Sequence, residues 1–331
     1  MKFKLWVLIC LISFLWIGPT LSAIKEEKAE ERLEARGLAK TEPDYKLFST
    51  AEIFFGYDSN PNLTPEGKGD MFEQFIYSLD FTKPFSKTLK FTFDYDLDVI
   101  NYNEITDVSN ILNHFRLGLH KKFSFCTVGG GYDLGILYYP KDESENFLFH
   151  KAFIYAKKNF SRRLYHKLQL EYGFKHFTDK KALGQFYFPR QDNNQQDERF
   201  AAAYDIGYRA TPKLTIRFKN KFYLNDSNAI FLDFHDYIAH RHALSMDYKV
   251  LQRLYLLGKF DYRRKEYKER RVVLGTSKQK DNLYTATAGV MYKLTDKDSV
   301  SLYYIYRNND SNEPLEEYTE NVVTCGWQHN F

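Results

Sequence analysis

From Tyr45 onward the chain alternates apolar and polar residues with a period of two. Phe91, Phe93, Tyr95, Leu97 and Val99 share one face of such a segment, and Thr92, Asp94, Asp96 and Asp98 share the other. Leu168, Leu170, Tyr172 and Phe174 stand against Lys167, Gln169, Glu171 and Lys175 in the same way. Leu214, Ile216 and Phe218 oppose Thr215, Arg217 and Lys219, and the rhythm returns in Val300, Leu302, Tyr304 and Tyr306. Successive side chains of a strand point to opposite faces, so each segment reads as a strand with one apolar and one polar side.

The connections between these segments alternate in length. Short ones fall near 84–87, 122–124, 159–163, 210–213, 250–252 and 295–298. Longer, polar ones fall near 58–70, 102–108, 140–146, 179–196, 226–232, 268–281 and 309–317. Short turns at one rim and long loops at the other are the pattern of outer-membrane barrels, with the turns periplasmic and the loops extracellular. The expected fold is all-β: a transmembrane antiparallel up-and-down β-barrel of about fourteen strands over residues 45–331, following a signal peptide. At ~4.8 Å between strands and a tilt near 40°, such a ring is roughly 28 Å across between backbones.

Both ends of the sequence agree with export. Met1 to Lys4 is a short basic stretch, residues 5–17 are almost unbroken apolar, and Thr20 to Ala23 offers small residues for cleavage. Residues 1–23 are therefore expected to be a signal peptide; the competing reading is an N-terminal anchor, for which the run is short. Residues 24–44 carry dense mixed charge and read as a periplasmic linker or a short helix. At the other end Val323, Cys325, Trp327 and Phe331 fall on one face of a strand. An aromatic final residue on an alternating strand is similar to the signal that bacterial barrel-assembly machinery reads, which makes Trp327 and Phe331 the candidate assembly signal. His329 departs from that signal.

Composition fits a chain with one greasy and one wet face. Aromatics make up 18% of the residues, with 26 Tyr and 29 Phe, yet the mean hydropathy is −0.53. A net charge of +4 gives no argument for nucleic acid. Two cysteines after residue 23, Cys126 and Cys325, exclude a disulfide-dense scaffold.

Strand parity assigns the candidate site. Asp80, Asp94, Asp96 and Asp98 are expected in the lumen on the second and third strands. Arg217, Lys219, Lys221, Arg241, Lys259 and Arg263 are expected there on the ninth to eleventh. In a fourteen-strand ring the third and tenth strands lie opposite, so an acidic ladder would face a basic wall and set a field across the lumen. The alternative is that these charges pair with neighbours along the wall. The segment 179–196 is a candidate constriction, or else a loop lying outside. No catalytic set stands out: His242 and Ser245 lack the spacing for one strand face, and His240 with His242 lacks a third metal ligand. The expectation is no enzyme, no metal and no cofactor.

The segment Phe54-Phe55-Gly56-Tyr57-Asp58-Ser59-Asn60-Pro61-Asn62-Leu63 resembles the first hairpin of barrels found in surface lipoprotein assembly modifiers. That resemblance implies a fourteen-strand barrel and an export role. Several of those proteins carry a helical-repeat domain before the barrel, where this chain has only the short run 25–40. Three functions are consistent with the sequence: a porin-like channel for passive diffusion of small hydrophilic solutes, an export or surface-display barrel, and a structural or adhesive barrel. The partners expected are the outer-membrane bilayer, the barrel-assembly machinery, and small hydrophilic solutes or an exported substrate.

Overall fold

The computed structural model describes residues 45–184, 188–231, 233–273 and 275–331. The expected signal peptide and linker, residues 1–44, lie outside the described residues. Fourteen antiparallel strands close into one barrel, each paired with its neighbours in sequence and β1 paired with β14. The strands are β1 Lys46–Asp58, β2 Asp70–Pro84, β3 Leu89–Tyr102, β4 Asn110–Lys122, β5 Thr127–Tyr138, β6 Phe147–Asn159 and β7 Leu164–Leu183. They continue as β8 Pro189–Thr211, β9 Leu214–Ser227, β10 Tyr237–Lys249, β11 Leu254–Arg271, β12 Lys278–Lys293, β13 Asp298–Ser311 and β14 Tyr318–Asn330.

Side-chain hydroxyls tighten the short-turn rim. Ser86 Oγ accepts from the Thr88 and Leu89 amides at 3.2 and 3.1 Å. Ser161, Thr211 and Thr295 accept in the same way from the amides of Arg163, Lys213 and Lys297. Such local bonds satisfy the turn backbone without help from the rest of the fold. At the other rim the Asp58-Ser59-Asn60 turn fastens the closing seam. Asn60 is buried, donates to the Thr64 and Thr319 carbonyls, and accepts from the Thr64 amide. Ser59 bonds Asn321 twice, through its own amide at 2.9 Å and its hydroxyl at 2.7 Å.

One sequence expectation needs correction. The segment 179–196 is not a long free loop. It is mostly a continuation of the β7–β8 hairpin, with irregular register between His176 and Leu183. Lys181 Nζ bonds Asn194 Oδ1 at 2.7 Å across that hairpin, and the Ile230 amide bonds the Leu183 carbonyl at 2.9 Å. Lys180 and Lys181 on one strand and Asn193 to Gln196 on the other put polar residues at successive positions, so apolar alternation could not mark it as strand. Residues 185–187 lie outside the described residues.

The outward face carries the apolar side chains: Ile53, Phe55, Phe75, Leu117, Ile154, Phe218, Leu244 and Leu302 are exposed. Its polar side chains meet across strands. Tyr95 donates to Asn113 at 2.9 Å, Tyr262 to Asn282 at 3.0 Å and Tyr304 to Asn321 at 2.7 Å. His242 bonds Asn220 at 3.0 Å, and His240 packs edge-on to Phe222. Pairing of this kind lowers the cost of polar atoms facing hydrocarbon.

Candidate functional site

The inner wall is the candidate site, and strand register decides what lines it. Asp94 is the cross-strand partner of Asp80 and of Arg116, and Arg116 is the partner of Asp133. Lys221 partners Arg241, and Arg241 partners Arg263. Cross-strand partners share a face. All ten acidic and basic residues singled out from parity lie on the face opposite the exposed apolar one.

Large inward rings lie along this wall, over glycines. Gly289 is the cross-strand partner of Tyr303, and Gly326 of Phe54. A Cβ on Gly289 would come within 2.3 Å of the Tyr303 ring, and one on Gly326 within 2.2 Å of the Phe54 ring. Only glycine leaves room for a ring to lie flat there.

Charge on the wall is distributed in two ways. On β2 and β3, Asp98 accepts from Gln74 at 2.8 Å, Asp96 accepts from the Ser78 hydroxyl, and His114 stands 3.8 Å from Asp96. Asp94 makes no side-chain hydrogen bond or ion pair among the described residues. All three aspartates are partly exposed. On β9 to β11 four of the six singled-out bases sit beside an acid. Lys221 contacts Glu171 at 2.7 Å, Arg217 contacts Asp247 at 3.1 Å, and Lys219 lies 3.9 Å from Asp205. Arg241 Nε bonds both Asp261 oxygens, at 2.6 and 2.7 Å. Lys259 and Arg263 have no carboxylate at ion-pair distance among the described residues. The picture of two bare walls facing each other is therefore corrected on the basic side, where lateral pairing prevails.

Sequence reasoning missed the acids that do this pairing. Asp133, fully buried, receives Arg116 Nε at 2.9 Å and the Lys151 ammonium, with His114 at 3.9 Å. Glu171, Asp205, Asp247 and Asp261 act singly. It also missed Arg199 and Lys265. Parity within their own strands was the available signal; which acid falls beside which base depends on register between strands, which no single segment encodes.

Trp327 and Phe331, the candidate assembly residues, are exposed. Trp327 is paired with Ile53 of β1 and Val300 of β13. His329 lies between their rings, at 5.8 Å from Trp327 and 4.8 Å from Phe331, and its Nδ1 meets Asp298 at 2.8 Å.

A closed fourteen-strand ring with apolar residues outside and charges inside has one stable setting, a bilayer, where closure leaves no strand edge unpaired. The comparisons agree. The profile of a family described as "Putative beta-barrel porin 2" matches residues 198–331. The outer-membrane channel DcaP of Acinetobacter baumannii is similar at TM-score 0.55 and 9% identity, over 88% of this chain and 99% of that one. OmpT, an outer-membrane protein of Vibrio cholerae, is similar at TM-score 0.52 and 10% identity, over 89% of this chain and 100% of that one. No sequence among curated proteins matches.

The chain has the fold of a transmembrane β-barrel. In a barrel of this kind the inward charges face water in the lumen and the outward aromatics face lipid and its interface. The inner wall is thus the part that faces the lumen.

Proposed function

We propose that this barrel is a channel for passive diffusion of small hydrophilic solutes. One observation carries the reading: partly exposed charges line the inside, and several inward rings, Phe54 and Tyr303 among them, sit over a glycine of the neighbouring strand. A lumen built that way keeps its centre for water and presents hydrogen-bonding groups to whatever passes. DcaP, with the same fold, is named as a channel. On this reading the barrel moves solutes and does no chemistry on them, and its insertion depends on the assembly machinery reading β14.

The test is conductance of the refolded protein in a planar bilayer, together with swelling of proteoliposomes in glucose. Stepwise, ohmic conductance and swelling faster than in protein-free liposomes are expected. A well-folded protein that gives neither would overturn the reading.

A further inference from the structure

We infer that Arg199, Arg263 and Lys265, on β8 and β11, form a lumenal station for the carboxylate of a small organic acid. The inference deepens the channel reading and rests on it. The three cations project from one patch of the inner wall, toward the long-loop rim. Small neighbours make the patch possible: Ala201, Ala203 and Ala239 occupy inward positions between the long side chains. Into that space lean Tyr223, Tyr237 and Tyr267, with successive ring centroids 5.8 Å apart.

Tyrosine faces hold two of the cations, and Lys265 also donates to the Tyr267 hydroxyl. Arg199 lies 5.0 Å from the Tyr223 centroid, and Lys265 lies 4.3 and 4.0 Å from those of Tyr237 and Tyr267. Arg199 also donates to Asn225 at 3.2 Å and to the Tyr237 hydroxyl at 2.8 Å. None of the three has a carboxylate at ion-pair distance among the described residues, and the Arg263 Nε is buried without a hydrogen-bond acceptor. Asp281, the cross-strand partner of Lys265, and Asp197, two residues before Arg199, are both held by neutral groups. Asp197 accepts from Gln195 at 3.0 Å, and Asp281 accepts from Gln279 at 2.9 Å and Ser311 at 2.8 Å.

The contrast with the rest of the basic wall gives the inference its force. Lys221, Arg217 and Arg241 each have a protein acid; here cations stand together among tyrosine rings, tyrosine hydroxyls such as those that accept from Arg199 and Lys265, and an amide, with no acid paired to them. Ring faces attract a cation but accept little from its N–H groups. Such a patch is completed by an anion from outside. The fork of a guanidinium fits a carboxylate in particular, since two parallel N–H groups meet two oxygens. Asp197 and Asp281 close by penalise a dianion more than a monoanion, which favours a carboxylate over a phosphate. All three cations are partly exposed on the inward face, so a solute in the lumen reaches them.

The test uses the full barrel in planar bilayers at low salt, with glucuronate as probe and glucose as its neutral counterpart. Glucuronate should reduce the ionic current saturably and glucose should not. Arg263→Gln and Lys265→Gln should each weaken the glucuronate effect roughly tenfold, the scale of one charge-assisted hydrogen bond in a partly exposed site. Tyr237→Phe, which keeps ring and charges, covers the case in which a charge variant fails to fold; it should weaken the effect less. Equal action of glucuronate and glucose on a conducting wild type would overturn the station and leave the channel standing. Stronger block by inorganic phosphate than by glucuronate would overturn the choice of carboxylate. If the wild type does not conduct, the channel reading fails, and calorimetric titration of glucuronate into the detergent-folded barrel decides the station: saturable binding lost in Arg263→Gln supports it, and no binding overturns it.

Discussion

The wall made by β2 and β3 and the wall made by β9 to β11 have the same alternation in sequence, yet they use charge differently. Asp94, Asp96 and Asp98 are partly exposed; an amide meets Asp98, and a hydroxyl and a histidine meet Asp96. Lys221 and Arg241 are buried, and each is clamped by an acid from two strands away or from the adjacent strand. In the first region charge is displayed to the lumen; in the second most of it is spent on holding strands to one another. An ion pair inside the wall contributes little field to the lumen, because the two charges cancel beyond their own separation. The lumen is thus more lopsided than a count of acids and bases suggests, with a displayed acidic side and a basic side reduced chiefly to Arg199, Arg263, Lys265 and Lys259.

The largest expected effect separates the two regions by stability. Glu171→Gln removes the acid from a pair whose side chains are 4% and 9% exposed, leaving Lys221 buried without its anion. The expected loss is about 3 kcal/mol, whereas Asp94→Asn should change stability by no more than about 0.5 kcal/mol. Urea midpoints of the two variants in detergent measure the gap. Equal midpoints would mean that the basic side is displayed as openly as the acidic side.

Next comes the wall itself. Gly289→Ala forces a methyl against the Tyr303 ring, an overpacking worth about 1–3 kcal/mol unless the ring swings inward. Either outcome is readable: a lowered urea midpoint, or a near-normal midpoint with reduced single-channel conductance. A variant normal in both would show that the flat seat of the ring has no role.

A smaller effect tests the field. Neutralising Asp94, Asp96 and Asp98 to Asn should shift permeation toward anions by a few-fold at 0.1 M salt, and much less at 1 M, where the screening length falls from about 10 Å to about 3 Å. Converting Arg217, Lys219 and Lys221 to Gln should move the reversal potential toward cations by less. Equal and opposite shifts would show that lateral pairing does not mute the basic side.

The smallest effect is at the mouth, in the loop 228–236 next to the basic wall. Burial, with Asp226 beside it, pushes the Asp236 carboxyl up to about 6, and burial holds the His235 imidazole down to about 4. The raised carboxyl favours the folded loop at low pH, and that contribution is lost as pH rises from 3.8 through about 6. The lowered imidazole favours it above 6.5, and that contribution is lost as pH falls through about 4. Between pH 4 and 6 the slopes oppose, so corrected amide-exchange protection of this loop should be nearly level. Asp236→Asn should leave protection that falls toward acid, and His235→Gln protection that falls toward neutral pH. A variant as level as wild type would remove the pair from the account.

The strands and turns of this barrel were legible because their causes are local. Leu168 to Phe174 declares its faces by alternation alone, and turns such as 84–87 carry their own hydroxyl caps. The β7–β8 extension was not legible, because runs such as Asn193 to Gln196 are polar at successive positions and show no alternation. The inward placement of Arg217 and Lys221 follows from parity, but their neutralisation by Asp247 and Glu171 does not. Those contacts cross between strands, and Lys221 reaches Glu171 over Ala203 of the strand between them. Arg199 sits among Glu198, Asp197 and a run of polar residues, where only the later inward positions Ala201 and Ala203 give its parity away.

The seam between β1 and β14 sets a timetable for the molecule. Every other ladder joins strands adjacent in sequence, which short loops bring together at small entropic cost. The seam joins Thr50 to Asn330 and the Phe331 amide to the Ser49 carbonyl, across nearly the whole barrel sequence. Contacts at such separation form late. Until β14 arrives, the growing sheet has two bare edges that can template pairing with other chains. A chain cut short before β14 is therefore an aggregation hazard rather than a narrower barrel, and its two edges stay open to other chains for as long as the last strand is missing.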